Sequence, residues 1–481
     1  ILKSFQNKHM SNSIRVRFAP SPTGHLHIGG VRTALFNYLF SKHNNGIFIL
    51  RIEDTDSSRS TEESIQQIIE GLKWIGIDCD EGPFRQTERK EIYQSYLEKL
   101  LNEGKAYKCY CSSEDLREMR EKAMAAGENP RYNRKCRDLT DHPKDEPFVV
   151  RFRTPVDGTV TINDLLHGEV TFNMSEMDDI IIARSDGSPT YNFVVVVDDV
   201  EMKITHVIRG DDHLSNTPKQ VMLYKGLGLP FPEFIHIPMI LGKDKKRLSK
   251  RHGATSILAY KEMGYLSEAI LNYLVRLGWS SGDQEIFSKE EMIEKFSLEN
   301  INKSAGVFDT DKSLWLNQHY IKESKPADLC PLFKNFLLRE KIISTESDFT
   351  DSEIEKIIPL LQERSKTLIE MAHKAEFYFK EEIVYDEAAS KKFLKIEIMQ
   401  IFKEFNEKLK VINEVLTHEN LEPIFNELMK NHNLKLGKIA QPLRVALTGK
   451  KESPGIFEVI ALLGKDKVLK RLQKAIEYIQ S

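Results

Sequence analysis

The sequence has few cysteines, no long apolar run and no excess of either charge. Only 5 of its 481 residues are cysteine, an odd and small number that argues against a disulfide framework and for a reducing, cytoplasmic setting. No run reaches the roughly 18 apolar residues of a transmembrane helix, so we expect no membrane partner. Lys plus Arg number 69 and Asp plus Glu 72, giving a net charge of −3. Any nucleic-acid surface must therefore be local.

The overall composition is that of an ordinary globular protein. Hydrophobic residues make up 40% and charged residues 29% of the chain, which excludes a wholly disordered or collagen-like protein. At about 150 residues per domain, the length suggests roughly three domains. Residues 1–13 contain no apolar core of a secretory signal, and we interpret them as an N-terminal extension in which Met10 is a candidate natural start.

The first part of the chain alternates between strand and helix patterns. Residues 14–20 and 47–52 are strand-like, and residues 31–41 and 61–75 are helix-like. This βαβα order predicts a parallel sheet with crossover helices. Asp56, which precedes the second helix, is a candidate to cap it.

The pattern of hydrophobic and polar residues changes after about residue 109. Short alternating runs at 148–153, 158–162 and 168–172 predict an insertion with its own small sheet. Residues 190–198 and 234–241 are apolar runs that we predict to be buried strands. From about residue 257 onward, helical periodicity dominates.

A segment rich in proline, glycine and histidine, RFAPSPTGHLHIGG at 17–30, follows the first strand. His27, Gly29 and Gly30 would open a helix, whose N-terminus favours anions and whose glycines permit close backbone approach. His25 and His27 lack a third metal ligand nearby, so a nucleotide phosphate suits them better than a metal. A purely structural turn stays open.

A second unusual segment, KDKKRLSKRHG at 243–253, carries six basic residues between Lys243 and Arg251. One interpretation is an exposed loop or localisation signal. The other is a set of mobile cations that neutralise a triphosphate during displacement at phosphorus.

Other residues leave two interpretations each. Arg17 and Arg209 lie at strand-like runs and are either anion ligands or halves of buried ion pairs. Cys109, Cys111 and Cys136 have spacing compatible with zinc but no obvious fourth ligand, so unligated thiols are the alternative. Residues 431–481 hold 10 basic and 4 acidic residues, which fits a solvated helical face or RNA contact.

Taken together, the two segments resemble the signatures of class I aminoacyl-tRNA synthetases. His27-Ile28-Gly29-Gly30 resembles the HIGH motif and Arg247-Leu248-Ser249-Lys250-Arg251 the KMSKS motif, with Gly30 and Arg247 departing from the consensus letters. RFAPSPTG, FILRIEDTD, YNFVVVVDD, VIRGDDHL and residues 441–472 resemble glutamyl-tRNA synthetases of bacterial or organellar type. The resemblance runs from about residue 14 to the end.

The resemblance implies a Rossmann-like, parallel-sheet class I catalytic domain of α/β type, with an α+β insertion, followed by an all-helical C-terminal anticodon-binding domain. The implied divisions are residues 14–108 and 191–256 for the catalytic domain, 109–190 for an acceptor-binding insertion, 257–325 for a stem-contact helical domain and 326–481 for the anticodon-binding domain.

The implied activity is ATP-dependent attachment of L-glutamate to the 3′ end of tRNA(Glu), through a glutamyl-adenylate, with Mg²⁺ accompanying ATP. In this family the first step typically also requires bound tRNA. His27 and Lys250 would be catalytic. The implied ATP-binding residues are His25, His27, Gly29, Gly30, Arg247, Leu248, Ser249, Lys250 and Arg251. The implied glutamate-binding residues are Arg17, Ala19, Ser21, Glu53, Tyr191 and Arg209.

Three further expectations follow from the resemblance. A structural Zn²⁺ would be held by Cys109, Cys111 and Cys136, with Tyr132 as the fourth ligand and Asp138 or His142 as alternatives. Arg364 and, more weakly, Arg444 would contact the anticodon; for each, an ordinary exposed helix arginine stays open. The protein would be a monomer.

Several related functions are weighed against this one. A glutaminyl-tRNA synthetase would end in β-barrels, whereas the pattern here after residue 320 is helical. A tRNA-modifying relative would end near residue 300, and a non-catalytic tRNA-binding paralogue should have lost His27, Lys250 or Glu53. Whether tRNA(Gln) is also a substrate stays open.

Overall fold

The computed structural model describes residues 13–56, 60–140, 143, 146–248 and 256–481. The proposed start at Met10, the alternative zinc ligand His142 and Ser249, Lys250 and Arg251 of the second motif lie outside these residues. The chain divides into two compact units. The first comprises the described residues up to Lys261 together with Ser267–Thr310, and the second comprises Glu262–Leu266 and Asp311–Ser481.

The first unit begins with the predicted βαβα order. Strands β1 (Arg15–Phe18), β2 (Ile47–Ile52) and β3 (Glu81–Arg85) form a parallel sheet in that order. Helices α1 (Ile28–His43) and α2 (Glu62–Trp74) connect them. The cap predicted for α2 is wrong: the Thr61 side chain accepts from the Ser64 N–H, because Thr61 and not Asp56 directly precedes the first turn.

A second sheet continues the first. It has the order β7-β6-β10-β9, from β6 (Thr159–Asp164), β7 (Gly168–Asn173), β9 (His206–Gly210) and β10 (Glu233–Ile237). β9 and β10 are parallel. Next to β9, the Thr205 N–H donates to the Arg15 carbonyl over 2.8 Å, so β9 runs beside β1. The carboxyl ends of β1, β2 and β9 therefore share one edge.

The predicted insertion does not keep all of its strands in a sheet of its own. β4 (Ala106–Cys109), β5 (Val149–Phe152) and β8 (Ile181–Ala183) form a separate antiparallel sheet. The hairpin β6–β7 instead pairs with β10, and this part of the prediction is wrong. The physical reason is burial: alternate residues of β6 are covered, and Val160 and Ile162 belong to the same hydrophobic cluster as Phe234 of β10.

The run at 190–198, predicted to be a strand, is a helix. α5 spans Tyr191–Glu201 and buries Phe193 and Val194–Val197 almost completely. A continuous apolar run does not distinguish a buried strand from a helix that is covered on every side, and tertiary packing overrides the β-propensity of valine here. The helix carries Tyr191 at its start and Asp198 and Asp199 in its last turn.

The remaining helices match the periodicity of the sequence. The first unit also contains α3 (Lys90–Asn102), α4 (Ser113–Ala125), α6 (Thr217–Leu227), α7 (Ile257–Glu262), α8 (Ser267–Arg276) and α9 (Lys289–Lys295). The second unit is helical in the residues described, as the sequence predicts. Its helices are α10 (Thr310–Glu323), α11 (Pro326–Arg339), α12 (Asp351–Gln362), α13 (Leu368–Phe379), α14 (Glu387–Phe393), α15 (Met399–Lys410), α16 (His418–His432), α17 (Leu436–Thr448) and α18 (Ile456–Gln480).

A buried arginine connects three helices of the second unit. Arg471 of α18 is 1% exposed and donates to the carbonyls of Leu447, Phe377 and Lys380. These carbonyls lie at the ends of α17 and α13, where helices leave acceptors without intrahelical partners. In the part of the chain that the structure describes, no helix has the length and apolar character needed to cross a bilayer.

Candidate active site

A cavity of about 490 Å³ opens at the carboxyl edge of the sheet, against the start of α1. The structure brings most of the predicted site residues to it. Its lining includes Arg17, Ala19, Ser21, His25, His27, Gly29, Gly30, Glu53, Tyr191, Arg209, Arg247 and Leu248. This edge is where open α/β sheets bind ligands.

His27 caps the helix that faces the cavity. Its Nδ1 accepts the Gly29 N–H over 3.0 Å, so in the neutral ring the proton is on Nε2. Burial, with help from the nearby Arg247 cation, lowers the pKa of His27. A neutral donor at a helix N-terminus suits a phosphate oxygen.

Two buried carboxylates hold the arginines under the cavity. Asp199 accepts from Arg17 at 3.0 and 3.4 Å and from Arg51 at 2.7 Å. Burial opposes ionisation of Asp199, but the two guanidinium groups lower its pKa. Arg17 is thus both a cavity residue and half of a buried ion pair, so the sequence alternatives were not exclusive.

Asp198 completes this charged layer. It accepts from Arg89 at 2.7 Å, from Gln86 at 2.9 Å and from the Tyr93 hydroxyl at 3.0 Å. Its side chain is fully buried. Asp198 and Asp199 were not predicted as site residues. Two adjacent acids directly after a valine run are an informative pattern, because buried charges are rarely left without partners.

Glu53 stands out among the acids of the cavity. It follows β2 and its Oε1 lies 3.4 Å from Arg51 Nη2. Burial raises the pKa of Glu53 to about 7, although Arg51 and Arg17 act in the opposite direction. A cationic ligand next to Glu53 would favour the ionised form of this carboxyl group and so lower its pKa.

Arg209 is a buried cation in the wall of the cavity. Its Nε donates to His236 Nε2 at 3.1 Å and its Nη2 to the Thr217 hydroxyl at 2.8 Å. Among the described residues its buried Nη1 has no hydrogen-bond partner and no carboxylate forms a salt bridge with it. Burial lowers the pKa of Arg209. An anionic ligand in the cavity would satisfy both the charge and the donor.

His213 and Asp212 form another part of the cavity wall. The Tyr191 hydroxyl lies 3.1 Å from His213 Nδ1, and burial together with Arg209 lowers the pKa of His213 to about 4. Arg247, whose side chain is 69% exposed, lies 3.4 Å from Asp212. His213 and Asp212 were not predicted; the acidic pair and histidine directly after Arg209 were the available signal.

The predicted metal ligands also come together. The Sγ atoms of Cys109, Cys111 and Cys136 lie within 4.8 Å of one another, and the Tyr132 hydroxyl is 3.2 Å from Cys109 Sγ and 3.7 Å from Cys111 Sγ. Three thiols and a phenol oxygen at such separations fit a tetrahedral ion. Asp138 does not belong to this group: it is paired with Arg153 at 2.8 Å.

The two predicted anticodon residues are neighbours in the second unit. Arg364 donates to the Ser453 carbonyl at 3.2 Å, and Arg444 donates to the Ser453 hydroxyl at 2.8 Å. Arg364 is exposed and lines a concave surface that encloses a volume of about 1220 Å³. Arg444 does not line this concave surface. The cations of this surface are Arg364, Lys374, Lys392, Lys450 and Lys451.

Comparisons with known proteins agree with this arrangement. Residues 13–315 match the family model described as tRNA synthetases class I (E and Q), catalytic domain, and residues 328–476 match an anticodon binding domain. The chain is 53% identical to the glutamate–tRNA ligase of Geobacter sulfurreducens over 98% of this chain and 100% of that one. It is also 53% identical to the glutamate–tRNA ligase of Thermodesulfovibrio yellowstonii, over 96% and 99%.

A solved structure covers nearly the same length. The crystal structure of a glutamate tRNA ligase from Elizabethkingia meningosepticum in complex with its amino acid superposes with a TM-score of 0.87 at 36% identity. The match covers 97% of this chain and 100% of that chain.

Proposed function

Because this chain belongs to the class I tRNA synthetases for glutamate and glutamine (E and Q), we propose that it attaches L-glutamate to tRNA(Glu), using ATP. The observation that carries the proposal is the charge of the cavity. Arg209 has a buried donor, Nη1, that makes no hydrogen bond with the described residues, and the buried carboxyl group of Glu53 has a raised pKa. Glutamate supplies the carboxylates and the ammonium that these groups lack.

Different residues of the cavity bind different groups of glutamate. Arg209 and Arg17 bind its carboxylates, Glu53 takes the ammonium, and Tyr191, Ser21 and Ala19 shape the remaining wall. Glutamine would leave the Arg209 charge uncompensated in a buried site, which favours glutamate over glutamine.

The opposite side of the cavity suits ATP. The start of α1, with His25, His27, Gly29 and Gly30, receives phosphates, and Nε2–H of His27 donates to them. Arg247 and Leu248 also line the cavity, and we assign further phosphate contacts to Ser249, Lys250 and Arg251. Mg²⁺ accompanies the ATP phosphates.

The chemistry needs no protein nucleophile. The α-carboxylate of glutamate attacks the α-phosphorus of ATP, pyrophosphate leaves, and glutamyl-adenylate forms. A hydroxyl of the terminal adenosine of tRNA then attacks the acyl carbon, and AMP leaves. Positioning and charge stabilisation by His27 and Lys250 supply the acceleration of the first step.

A structural Zn²⁺ belongs to the same proposal. Cys109, Cys111, Cys136 and Tyr132 would hold it and fix the segment that we assign to the tRNA acceptor end, residues 109–190. Burial opposes ionisation of Cys109, but the Tyr132 hydroxyl, the Cys111 backbone and Arg151 lower its pKa. Burial raises the pKa of the Cys111 thiol to about 12, so the support for a metal site is the gathering of the three thiols and the Tyr132 hydroxyl.

We assign anticodon recognition to the concave cationic surface of the second unit. Splayed RNA bases bind by stacking and by hydrogen bonds from groups such as Arg364. The exposed guanidinium of Arg364 favours discrimination between the anticodons of tRNA(Glu) and tRNA(Gln). We therefore propose that tRNA(Glu) is the substrate and tRNA(Gln) is not. We also propose that the enzyme acts as a monomer in the cytoplasm.

The test is aminoacylation with radiolabelled glutamate on transcripts of tRNA(Glu) and tRNA(Gln) in parallel. We expect tRNA(Glu) alone to be charged, and Lys250→Ala to abolish charging. Charging of both tRNAs would keep the activity and overturn the discrimination. Charging of neither by a folded enzyme would refute the proposed function.

A further inference from the structure

A chain of three buried side chains leads from the β6–β7 hairpin to the cavity. Asp164 Oδ2, at the end of β6, lies 2.6 Å from His236 Nδ1 on β10. His236 Nε2 in turn accepts the Nε–H of Arg209 at 3.1 Å. Asp164 is 1% exposed and His236 is fully buried. None of the roles proposed above uses Asp164 or His236.

The hydrogen bonds fix which nitrogen of His236 carries a proton. A carboxylate opposite Nδ1 requires a proton there, and burial lowers the pKa of His236 so that the ring is neutral. Nε2 is then a lone pair, which is what the Nε–H of Arg209 requires. The other tautomer would place Nε2–H opposite the Nε–H of Arg209, with the Thr217 hydroxyl, 3.0 Å away, as its acceptor instead.

Asp164 is itself rigidly held. Its Oδ1 accepts the backbone N–H groups of Leu166 and His167, both at 2.9 Å, and its Oδ2 accepts the His236 N–H at 3.1 Å. Burial opposes ionisation of Asp164, but the hydrogen bonds from His236 and the backbone lower its pKa. Every acceptor position is used, so the imidazole has one favoured orientation.

The arrangement orients Arg209 without neutralising it directly. A carboxylate in contact with the guanidinium would compete with an anionic substrate, whereas a neutral imidazole holds Nε and leaves the charge available. The Thr217 hydroxyl fixes Nη2 in the same way. With two of its nitrogens fixed, Arg209 keeps one guanidinium nitrogen, Nη1, that makes no hydrogen bond with the described residues, and we assign a substrate carboxylate to it.

We propose that Asp164 and His236 are positioning residues that hold Arg209 in the orientation required to bind a carboxylate of glutamate. The inference rests on the proposed function for the identity of the ligand. It assigns to the β6–β7 hairpin a part in amino-acid recognition, in addition to any contact with tRNA.

The test compares the glutamate and ATP dependence of aminoacylation in full-length variants. In Asp164→Asn, the two backbone donors hold the amide oxygen at the Oδ1 position, so the amide NH₂ faces His236 Nδ1 and also the His236 backbone N–H, which loses its acceptor. The ring must change tautomer, and Nε2–H then opposes Arg209. We expect the KM for glutamate to rise by about ten- to a hundredfold, the effect of one lost hydrogen bond to a charged group. We expect the KM for ATP to stay within about twofold, since the change does not reach the phosphate side.

A second pair of variants separates positioning from folding. Glutamine at position 236 offers an acceptor oxygen to Arg209, whereas leucine offers none. We expect His236→Gln to keep a glutamate KM well below that of His236→Leu. Asp179→Asn is the control, because Asp179 is also fully buried and hydrogen-bonded, but its partners Tyr107, Arg134, Arg137 and Thr154 do not line the cavity.

A glutamate KM in Asp164→Asn that equals that of Asp179→Asn would overturn the inference, as would equal values for His236→Gln and His236→Leu. If the wild-type protein charges no tRNA, the proposed function fails separately. ¹⁵N NMR of the imidazoles then decides the inference on its own: His236 should be protonated at Nδ1 in the wild type and at Nε2 in Asp164→Asn, and an unchanged tautomer would refute it.

Discussion

The binding of glutamate should depend on pH through Glu53. With a pKa of about 7 in the empty cavity, about one-tenth of this carboxyl group is ionised at about pH 6 and about nine-tenths at about pH 8. Only the ionised form pairs with the substrate ammonium. The KM for glutamate should therefore fall by about tenfold across this interval. The sign follows from the raised pKa, which favours the protonated form in the free enzyme until the pH passes the pKa.

The assay is aminoacylation at saturating ATP and tRNA(Glu), with glutamate varied at each pH. Glu53→Gln removes the titrating group, so its glutamate KM should be high and nearly independent of pH. The KM for ATP in the wild type is the internal control. A wild-type glutamate KM that is flat between these pH values, or a slope that survives in Glu53→Gln, would refute the reasoning.

Three other outcomes follow from the buried charges and thiols. Asp199→Asn leaves two buried arginines without their shared acceptor and should cost about 3–5 kcal/mol, seen as faster amide hydrogen exchange in α5 with no change in α17. Arg471→Met orphans three helix-end carbonyls and should lower the stability of the second unit by at least about 2 kcal/mol; unaltered exchange in α17 and α18 would contradict this. Cys136→Ser should abolish the binding of about one zinc per chain in elemental analysis, whereas Cys330→Ser, which changes a buried thiol of the second unit, should retain it.

The local parts of the site could be predicted from the sequence. His27, Gly29 and Gly30 lie within one turn of chain and were expected to open a helix, and in the structure the His27 side chain caps the start of α1. Cys109, Cys111, Tyr132 and Cys136 likewise lie within a short stretch, and the structure gathers them.

The long-range parts could not be predicted. Arg17 and its partner Asp199 are separated by 182 positions, and Asp164 and His236 by 72. Periodicity shows which face of an element is buried but not which charge on another element lies opposite. The prediction of a strand at residues 190–198 was wrong for the same reason, because the packing around the valine run decides between helix and strand.

The pairing of β6 with β10 has a consequence for protein engineering. Residues 109–190, which we propose as an insertion, are an obvious choice for replacement as a cassette in chimaeric enzymes. The Leu165 N–H, however, donates to the Phe234 carbonyl at 2.9 Å, and Asp164 satisfies the His236 N–H. A swap across these residues would expose an unpaired edge at β10, which invites aggregation. Grafts should therefore retain the β6–β7 hairpin in the host and exchange only the sequence on either side of it.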